Sequence, residues 1–160
     1  MAELGELKLS TQLFLRAYPW RRIEPIPFSV PRRPLAESRV ALVSSAGMVL
    51  PDQLPFDERV RGGDWSWRPI PADTAVETLR ETHRSESFDH QGIHADANLA
   101  FPLERLRELA AEGAIGAVAP RHASIMGSLT APGRLIARTA PEIADLLVGD
   151  QVDVALLVPV

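Results

Sequence analysis

The sequence contains no cysteine. These 160 residues therefore hold no disulfide, no cysteine-ligated metal and no thiol nucleophile. Apolar runs are also short. None reaches the roughly 18 residues of a membrane-spanning helix, and the amino-terminal MAELGELKLSTQ lacks the apolar core of a signal peptide. We therefore expect a cytoplasmic protein that does not bind membranes.

Lysine is almost absent as well. The chain has one lysine and 16 arginines, a bias that we attribute to a GC-rich genome rather than to an arginine-based binding surface. The net charge of −4 argues against a general electrostatic affinity for nucleic acid. With 46% hydrophobic and 24% charged residues, the composition is typical of a globular protein with one core.

Proline, in contrast, is abundant in the first half: nine of the 14 prolines lie within residues 19–71. PWRRIEPIPFSVPRRP (19–34) cannot form a regular helix, because proline lacks an N–H donor and restricts the residue before it. We predict that residues 1–37 form an extended Pro/Arg-rich arm, with a short helix in LSTQLFLRAY (9–18). The apolar side chains of the arm would cover the protein's own core or a partner subunit; they are Trp20, Ile23, Ile26 and Phe28.

Residues 38–160 are predicted to form an α/β domain, because apolar strands alternate with amphipathic helices. The strands are RVALVSSAG (39–47), AIGAVAP (114–120) and VDVALLVP (152–159), and the clearest helices are FPLERLRELAAEG (101–113) and TAPEIADLLVGD (139–150). Thr139 and Glu142 have the spacing of a capping box. This order predicts three layers with a mainly parallel, doubly wound sheet, which is complete or the first half of a longer domain.

Two further elements carry weaker local signals. WSWRPI (65–70) reads as a short strand. DTAVETLRETH (73–83) reads as the start of a helix that Asp73 would cap, with Glu77 and Glu81 exposed.

Ligands of parallel α/β sheets bind beyond the carboxyl ends of the strands. Here the predicted ends are SSAG (44–47), Pro120-Arg121-His122 and Pro159-Val160. The small residues of the first end could present backbone N–H groups to an anion, so Ser44 and Ser45 are candidate substrate-binding residues. They match neither GxGxxG nor a phosphate-binding P-loop.

APRHASIMG (119–127) holds further candidates. Arg121 offers a planar fork for a carboxylate or a phosphate, and His122 and Ser124 could hydrogen-bond a ligand or each other. A Ser–His nucleophile pair would lack both a nucleophile elbow and an acid partner. The alternative is a polar turn that closes a βα unit.

The densest polar stretch is ETHRSESFDHQGIHADAN (81–98). Three of the four histidines lie in it together with two aspartates: His83, His90, His94, Asp89 and Asp96. His90 and His94 would share one helix face, but Gly92 weakens that helix and there is no HExxH pattern, so we expect no metal site. Two interpretations stay open. Asp89 could orient an imidazole for acid–base chemistry, or the loop could bury His90 as a structural residue.

Together, HRSESFDHQGI (83–93), FPLERLRELAAEGAIGAVAPRHASIMG (101–127) and TAPEIADLLVGDQVDVALLVPV (139–160) resemble the selenoprotein B family. Its members are subunits of the glycine, sarcosine and betaine reductases and of D-proline reductase. The resemblance runs from about Arg32 to Val160. In the family, the strand similar to VDVALLVPV is followed by a selenocysteine or cysteine and then by further cysteines. The resemblance therefore implies an α/β domain truncated at its carboxyl terminus, with the redox residue beyond Val160 and no cofactor within this chain.

The implied activity is an oxidoreductase reaction in which a selenolate or thiolate attacks an activated carbon and a C–N bond is cleaved. The implied partners are a small amino-acid-like substrate and other reductase subunits or a dithiol donor. From residue chemistry we expect Arg121 to stabilise the substrate carboxylate or the selenolate, and His90 or His122 to protonate the leaving amine. Supporting roles would fall to His83, Asp89 and Ser124.

The alternative is a domain without a redox centre that binds a small molecule or serves in assembly. In either case the chain would end on a central strand and leave apolar surface uncovered. We therefore expect a homo-oligomer.

Overall fold

The computed structural model describes residues 8–18, 22–85 and 90–160. The chain divides into two compact units, residues 1–30 and residues 31–160. The first unit contains helix α1 (Leu9–Ala17), which confirms the helix predicted at residues 9–18. Residues 22–30 form neither helix nor strand, and Ile23, Ile26 and Phe28 are exposed, whereas Trp20 lies outside the described residues. What the arm covers stays a prediction.

The second unit is built on a curled, mainly parallel sheet whose central strand is β1 (Arg39–Ser44). One edge of β1 pairs in parallel with β7 (Val154–Val158). The other edge pairs in parallel with two short strands in succession, β5 (Ala117–Val118) and β6 (Arg121–Ile125). β3 (Trp67–Pro71) pairs antiparallel with β6, which confirms the strand predicted at residues 65–70.

Helices cover both faces of this sheet. α3 (Leu103–Ala111) and α4 (Ala140–Gly149) correspond to the two helices that the sequence predicts most clearly. Successive residues of a strand point to opposite faces. Leu42 packs in one buried core with Leu103 of α3, whereas Val43 lines an apolar groove with Ile143 of α4. The α/β fold with a mainly parallel sheet is therefore confirmed.

Short elements complete the unit. They are α2 (His90–Ala95), 3₁₀ turns at Leu35–Glu37, Val76–Thr78 and Ala97–Leu99, and a π-helical stretch at Leu135–Thr139 that leads into α4. No helix in the described ranges combines the length and the apolar character that crossing a bilayer requires.

The helix predicted at residues 73–83 is wrong. Only a 3₁₀ turn forms there, followed by β4 (Arg80–Glu81), which pairs antiparallel with β2 (Met48–Val49). The chain that leaves β1 offers hydrogen-bond acceptors that residues 80–82 pair with in an extended conformation and could not pair with from within a helix. The backbone N–H and the hydroxyl of Thr82 both donate to the carbonyl of Gly47. Long-range pairing thus overrides the local helical signal.

The capping box at Thr139 and Glu142 is also absent. Because the π-helical stretch runs directly into α4, Thr139 has helical backbone angles and does not cap the helix. Its hydroxyl donates instead to the carbonyl of Trp65, and the carboxylate of Glu142 accepts a 3.0 Å hydrogen bond from the indole of Trp67. Both side chains tie α4 to the chain around β3.

Candidate functional site

The carboxyl ends of β1, β6 and β7 lie together at one edge of the sheet. Ser44, the last residue of β1, is in register with Ser124 of β6 on one side and with Val158 of β7 on the other. This is the edge at which parallel sheets bind ligands. Beyond it the chain from β1 continues through Ser45 and Gly47, and the chain from β7 continues to Val160.

Ser44 is enclosed at this edge. Its side chain is fully buried, its hydroxyl donates to the carbonyl of Ala100 at 2.6 Å, and its oxygen accepts the N–H of Ala46 at 3.2 Å. These bonds close the turn after β1 and join it to the segment that precedes α3. Its role as a substrate-binding residue stays a prediction, and this geometry favours a structural role.

Ser45 joins the neighbouring strand ends. Its N–H donates to Val158 at 3.0 Å, and its carbonyl accepts the N–H of Gly127 at 2.8 Å. Its hydroxyl oxygen accepts the N–H of Val160 at 2.9 Å and faces the carbonyl of Val160 at 3.4 Å. The hydroxyl thus contacts the main chain that leaves β7.

The histidine-rich stretch reaches the same edge. Gly47 has a positive φ of 67°, and a Cβ atom at this position would lie 3.2 Å from the backbone nitrogen of His83. His83 is itself buried, and its Nδ1 accepts the N–H of Ser85 at 3.1 Å. Burial is the main cause that holds the pKa of His83 below its ordinary value, while the nearby Glu81 carboxylate opposes that shift.

The side chain that joins the histidines of this stretch is that of Glu81, which the sequence predicts on an exposed helix face. Only 5% of its side chain is exposed. One carboxylate oxygen accepts the backbone N–H of His83. The other lies 2.7 Å from Nδ1 of His90 and 3.7 Å from Nε2 of the more exposed His94. The signal that could have found Glu81 is its position directly before the histidine-rich run.

Both ring nitrogens of His90 face oxygen atoms. Its Nδ1 faces the Glu81 carboxylate, and its Nε2 faces the carbonyl oxygen of Ser85 at 2.7 Å. A carbonyl oxygen only accepts, so the hydrogen bond to Ser85 places a hydrogen on Nε2. Asp89, the predicted partner of an imidazole, lies outside the described residues.

A cavity of about 420 Å³ opens beside Glu81. Its apolar lining is largely buried and includes Met48, Val76, Leu79 and Ile93. Its polar lining holds more carboxylates than cationic side chains. The polar residues are Glu77, Arg80, Glu81, His94, Asp96, Asn98 and Glu104. The cavity has the dimensions of small-molecule sites and suits a compact ligand with a positively charged group.

The sequence predicts that Arg121 and His122 follow a strand end. They lie within a strand instead, because the chain that leaves β5 continues after Pro120 as β6. Arg121 forms a two-pronged ion pair with Asp150, the residue directly after α4, at 2.6 and 2.9 Å. The bonds to Arg121 are the main cause that lowers the pKa of the Asp150 carboxyl. Since Asp150 precedes β7, Arg121 points toward the amino end of that strand. Its ligand-binding role stays a prediction.

His122 and Ser124 point to the buried face of β6. Nδ1 of His122 accepts the N–H of Leu42 at 3.0 Å and so replaces a backbone partner where the strand beside β1 is interrupted. Burial lowers the pKa of His122 to about 4, so the ring is neutral. The hydroxyl of Ser124 is fully buried and has no hydrogen-bond partner in the described chain. Neither side chain is open to a ligand here, and their predicted roles stay untested.

No group of three or more His, Asp or Glu side chains in the described ranges is arranged to hold a metal ion. The described parts of the site thus consist of two neighbouring features. One is the strand-end edge around Ser45 and Val160, and the other is the Glu81–His90 pair beside the cavity. Gly47 and His83 connect them.

Comparison with known proteins identifies relatives. The family model described as "Glycine/sarcosine/betaine reductase selenoprotein B" matches residues 6–159. D-proline reductase subunit gamma of Acetoanaerobium sticklandii is 35% identical over 137 residues, which is 84% of this chain and 54% of that protein. No solved structure matches the chain significantly.

Two further relatives are subunits of other reductases. Glycine reductase complex component B subunit gamma of Symbiobacterium thermophilum is 29% identical, covering 94% of this chain and 35% of that protein. Sarcosine reductase complex component B subunit beta of Peptoclostridium acidaminophilum is 27% identical, covering 79% of this chain and 29% of that protein. The chain thus spans about half the length of the D-proline reductase subunit and about a third of the other two.

Proposed function

Starting from the fact that the chain belongs to the glycine/sarcosine/betaine reductase selenoprotein B family, we propose that it supplies the amino-terminal part of an amino-acid reductase. In this proposal the reductase cleaves a C–N bond with a selenol or thiol that follows Val160. Membership confirms the family resemblance seen in the sequence. The reaction, the redox residue and the substrate are the proposal.

The proposed reaction transfers two electrons. A selenolate or thiolate attacks the carbon of the C–N bond, and the amine leaves with the bonding electrons and takes up a proton. A second thiol then attacks the sulfur or selenium, so that the carbon keeps the electron pair and gains a proton, and a disulfide or selenenylsulfide forms. A dithiol donor reduces that bond and is itself oxidised to a disulfide, which completes the cycle.

The observation that carries the proposal is the position of Val160. This residue leaves β7 at the carboxyl edge of the sheet and is hydrogen-bonded there to Ser45. The next residue along the chain would start at an edge where parallel sheets bind their ligands. The pair of Glu81 and His90 lies near this edge, since Glu81 accepts the N–H of His83 and His83 adjoins Gly47.

We assign the protonation of the leaving amine to the Glu81–His90 pair. In this pair an imidazole nitrogen of His90 lies 2.7 Å from a carboxylate oxygen of Glu81, in an environment that is largely closed to solvent at Glu81. A leaving amine needs a positioned proton donor of this kind. His122 is less suited to that role, because it is fully buried and its Nδ1 is engaged by Leu42.

We place the substrate in the cavity beside this pair. Its apolar floor and its excess of carboxylates match a small molecule with an ammonium group, as an amino acid carries. The relatives' names refer to D-proline, glycine and sarcosine, and two of these names describe components of reductase complexes. The proposal therefore includes a small amino-acid-like substrate and other reductase subunits as partners.

The direct test uses the protein purified from its source cells with its associated subunits. It is incubated without oxygen with a dithiol and, in separate reactions, with D-proline, sarcosine, glycine or betaine. We expect one compound to lose its C–N bond, with one disulfide formed per bond cleaved, and we expect prior alkylation of the reduced protein to abolish the reaction. No cleavage of any compound, or cleavage that resists alkylation, would refute the proposal and favour a domain without a redox centre.

The assignment of Glu81 and His90 has its own test within that assay. Glu81→Gln and His90→Gln should lower kcat on the order of a hundredfold and leave KM within a few fold, because they remove a proton donor. Glu77→Gln is the matched control on the rim of the same cavity, since Glu77 is exposed. Equal losses in the control would show that the cavity charge matters rather than the proton.

A further inference from the structure

Ser45 uses each of its polar groups to join strand ends. The carbonyl accepts from Gly127 after β6, the N–H donates to Val158 at the end of β7, and the hydroxyl contacts Val160. Ser45 itself directly follows β1. One residue therefore fixes the exits of three parallel strands relative to one another.

The hydroxyl holds residue 160 by both of its backbone groups. The N–H of Val160 donates to Oγ at 2.9 Å, and Oγ lies 3.4 Å from the carbonyl oxygen of Val160. The contact joins residues 115 positions apart in sequence, and Pro159 restricts the chain immediately before it. A segment that would otherwise leave the sheet freely is thus held in one direction.

Gly127 packs closely against Ser45 and has little room for a side chain of its own. A Cβ atom at Gly127 would lie 3.1 Å from Cβ, O and Oγ of Ser45, closer than side chains ordinarily approach. The hydroxyl is already engaged by Val160. Ser45 is therefore poorly placed to bind substrate, as its sequence position suggested, and well placed to hold the main chain.

We propose that Ser45 is a positioning residue, which fixes the direction of the chain that leaves β7 and so places the residue that follows Val160. The inference rests on the proposed function, in which that residue is the nucleophile. A nucleophile must stand within a fraction of an ångström of its productive position, because a misplacement of about 1 Å costs on the order of a hundredfold in rate. Ser45 would supply that precision through main-chain hydrogen bonds.

The positioning can be measured without activity, because the chain has no cysteine of its own. A single cysteine added after Val160 is labelled with a nitroxide, and its mobility is read from the electron paramagnetic resonance spectrum. We expect an immobilised label in the otherwise unchanged chain, a mobile label in Ser45→Ala, and recovery of the immobilised spectrum in Ser45→Thr. Equal mobility in all of them would overturn the proposal.

Ser38→Ala is the matched control. Ser38 is a buried serine just before the opposite end of β1, and its hydroxyl donates to the carbonyl of Pro34 at 2.9 Å. We expect this variant to keep the label immobilised; a mobile label here would mean that any buried hydroxyl of this region has the same effect.

Amide exchange of Val160 in the unsubstituted chain gives a second measurement should Ser45→Ala not fold. Protection of at least about tenfold is expected from the bond to Ser45, and exchange at the unprotected rate would overturn the proposal.

The full-length protein separates this inference from the proposed function. With dithiol-dependent cleavage as the assay, Ser45→Ala should lower kcat by a factor on the order of 10 to 100 at nearly constant KM. An active protein whose kcat is unchanged in Ser45→Ala would refute the positioning role alone. A protein without any cleavage activity would refute the proposed function, whatever the label shows.

Discussion

His122 gives the sharpest prediction about stability. Its imidazole is fully buried, and Nδ1 accepts the N–H of Leu42. Burial lowers its pKa from 6.5 to about 4, with Arg107 as a further cause. The unfolded chain therefore binds a proton at His122 that the folded protein does not bind, at every pH between these values. The contribution of His122 to stability is therefore fully present above pH 6.5 and is lost as the pH falls toward 4.

The magnitude follows from the two pKa values. At about 1.36 kcal/mol for each pKa unit, the difference between 6.5 and about 4 amounts to about 3 kcal/mol. Such a loss is a large share of the 5 to 15 kcal/mol or so that stabilise a typical domain. His122→Asn removes the titration, because the amide oxygen of asparagine can take the place of Nδ1 and accept from Leu42 without binding a proton.

Urea unfolding of both proteins, from about pH 7 to about pH 4, measures the effect. His122→Asn costs stability at neutral pH, because the smaller side chain leaves space next to Phe101. The difference between the two proteins should then shrink by about 3 kcal/mol as the pH falls. Other titrating groups, His83 among them, contribute to both curves and cancel. Parallel curves over the whole range would refute the account of His122 as a neutral, buried acceptor.

Two further substitutions test the packing. Glu81→Gln should lower the free energy of unfolding by about 1.5 to 3 kcal/mol, because a buried carboxylate loses its charge-assisted bond to His90. Its control, Glu77→Gln on the exposed rim of the cavity, should change that free energy by less than about 0.5 kcal/mol. Gly116→Ala should lower the free energy of unfolding by about 1 to 3 kcal/mol or more, because the added methyl group would lie 2.4 Å from a backbone carbon of Glu37. Its control, Gly133→Ala, has open space around it and should leave that free energy unchanged. Equal effects within either pair, in urea unfolding, would contradict the structure.

The layered fold could be predicted because its signals are local. The apolar run Val40 to Val43 and the helical stripe of residues 101–113 identify β1 and α3 without any knowledge of their neighbours. The strand at residues 114–120 was predicted to end at Pro120. It resumes as β6, which pairs with β1 and β3, and at the interruption the His122 imidazole takes the N–H of Leu42, a contact between residues 80 positions apart. No local pattern contains that information.

The candidate site was predictable only in part, for the same reason. The strand ends placed Ser45 at the correct edge of the sheet, and the histidine-rich stretch drew attention to His83 and His90. Glu81 was missed, because a helical reading exposes it, whereas pairing of β4 with β2 buries it beside His90. Which side of a short segment becomes buried depends on its distant partner, so the position of Glu81 beside the histidine-rich run could draw attention to this carboxylate but not predict its burial.

The central proposal is that a redox residue follows Val160. The most direct measurement is the intact mass and peptide map of the protein from its source cells, after reduction and alkylation. We expect a polypeptide heavier than these 160 residues, with an alkylated selenocysteine or cysteine in the peptide that follows β7. A native product that ends at Val160 and carries no alkylated residue would contradict it.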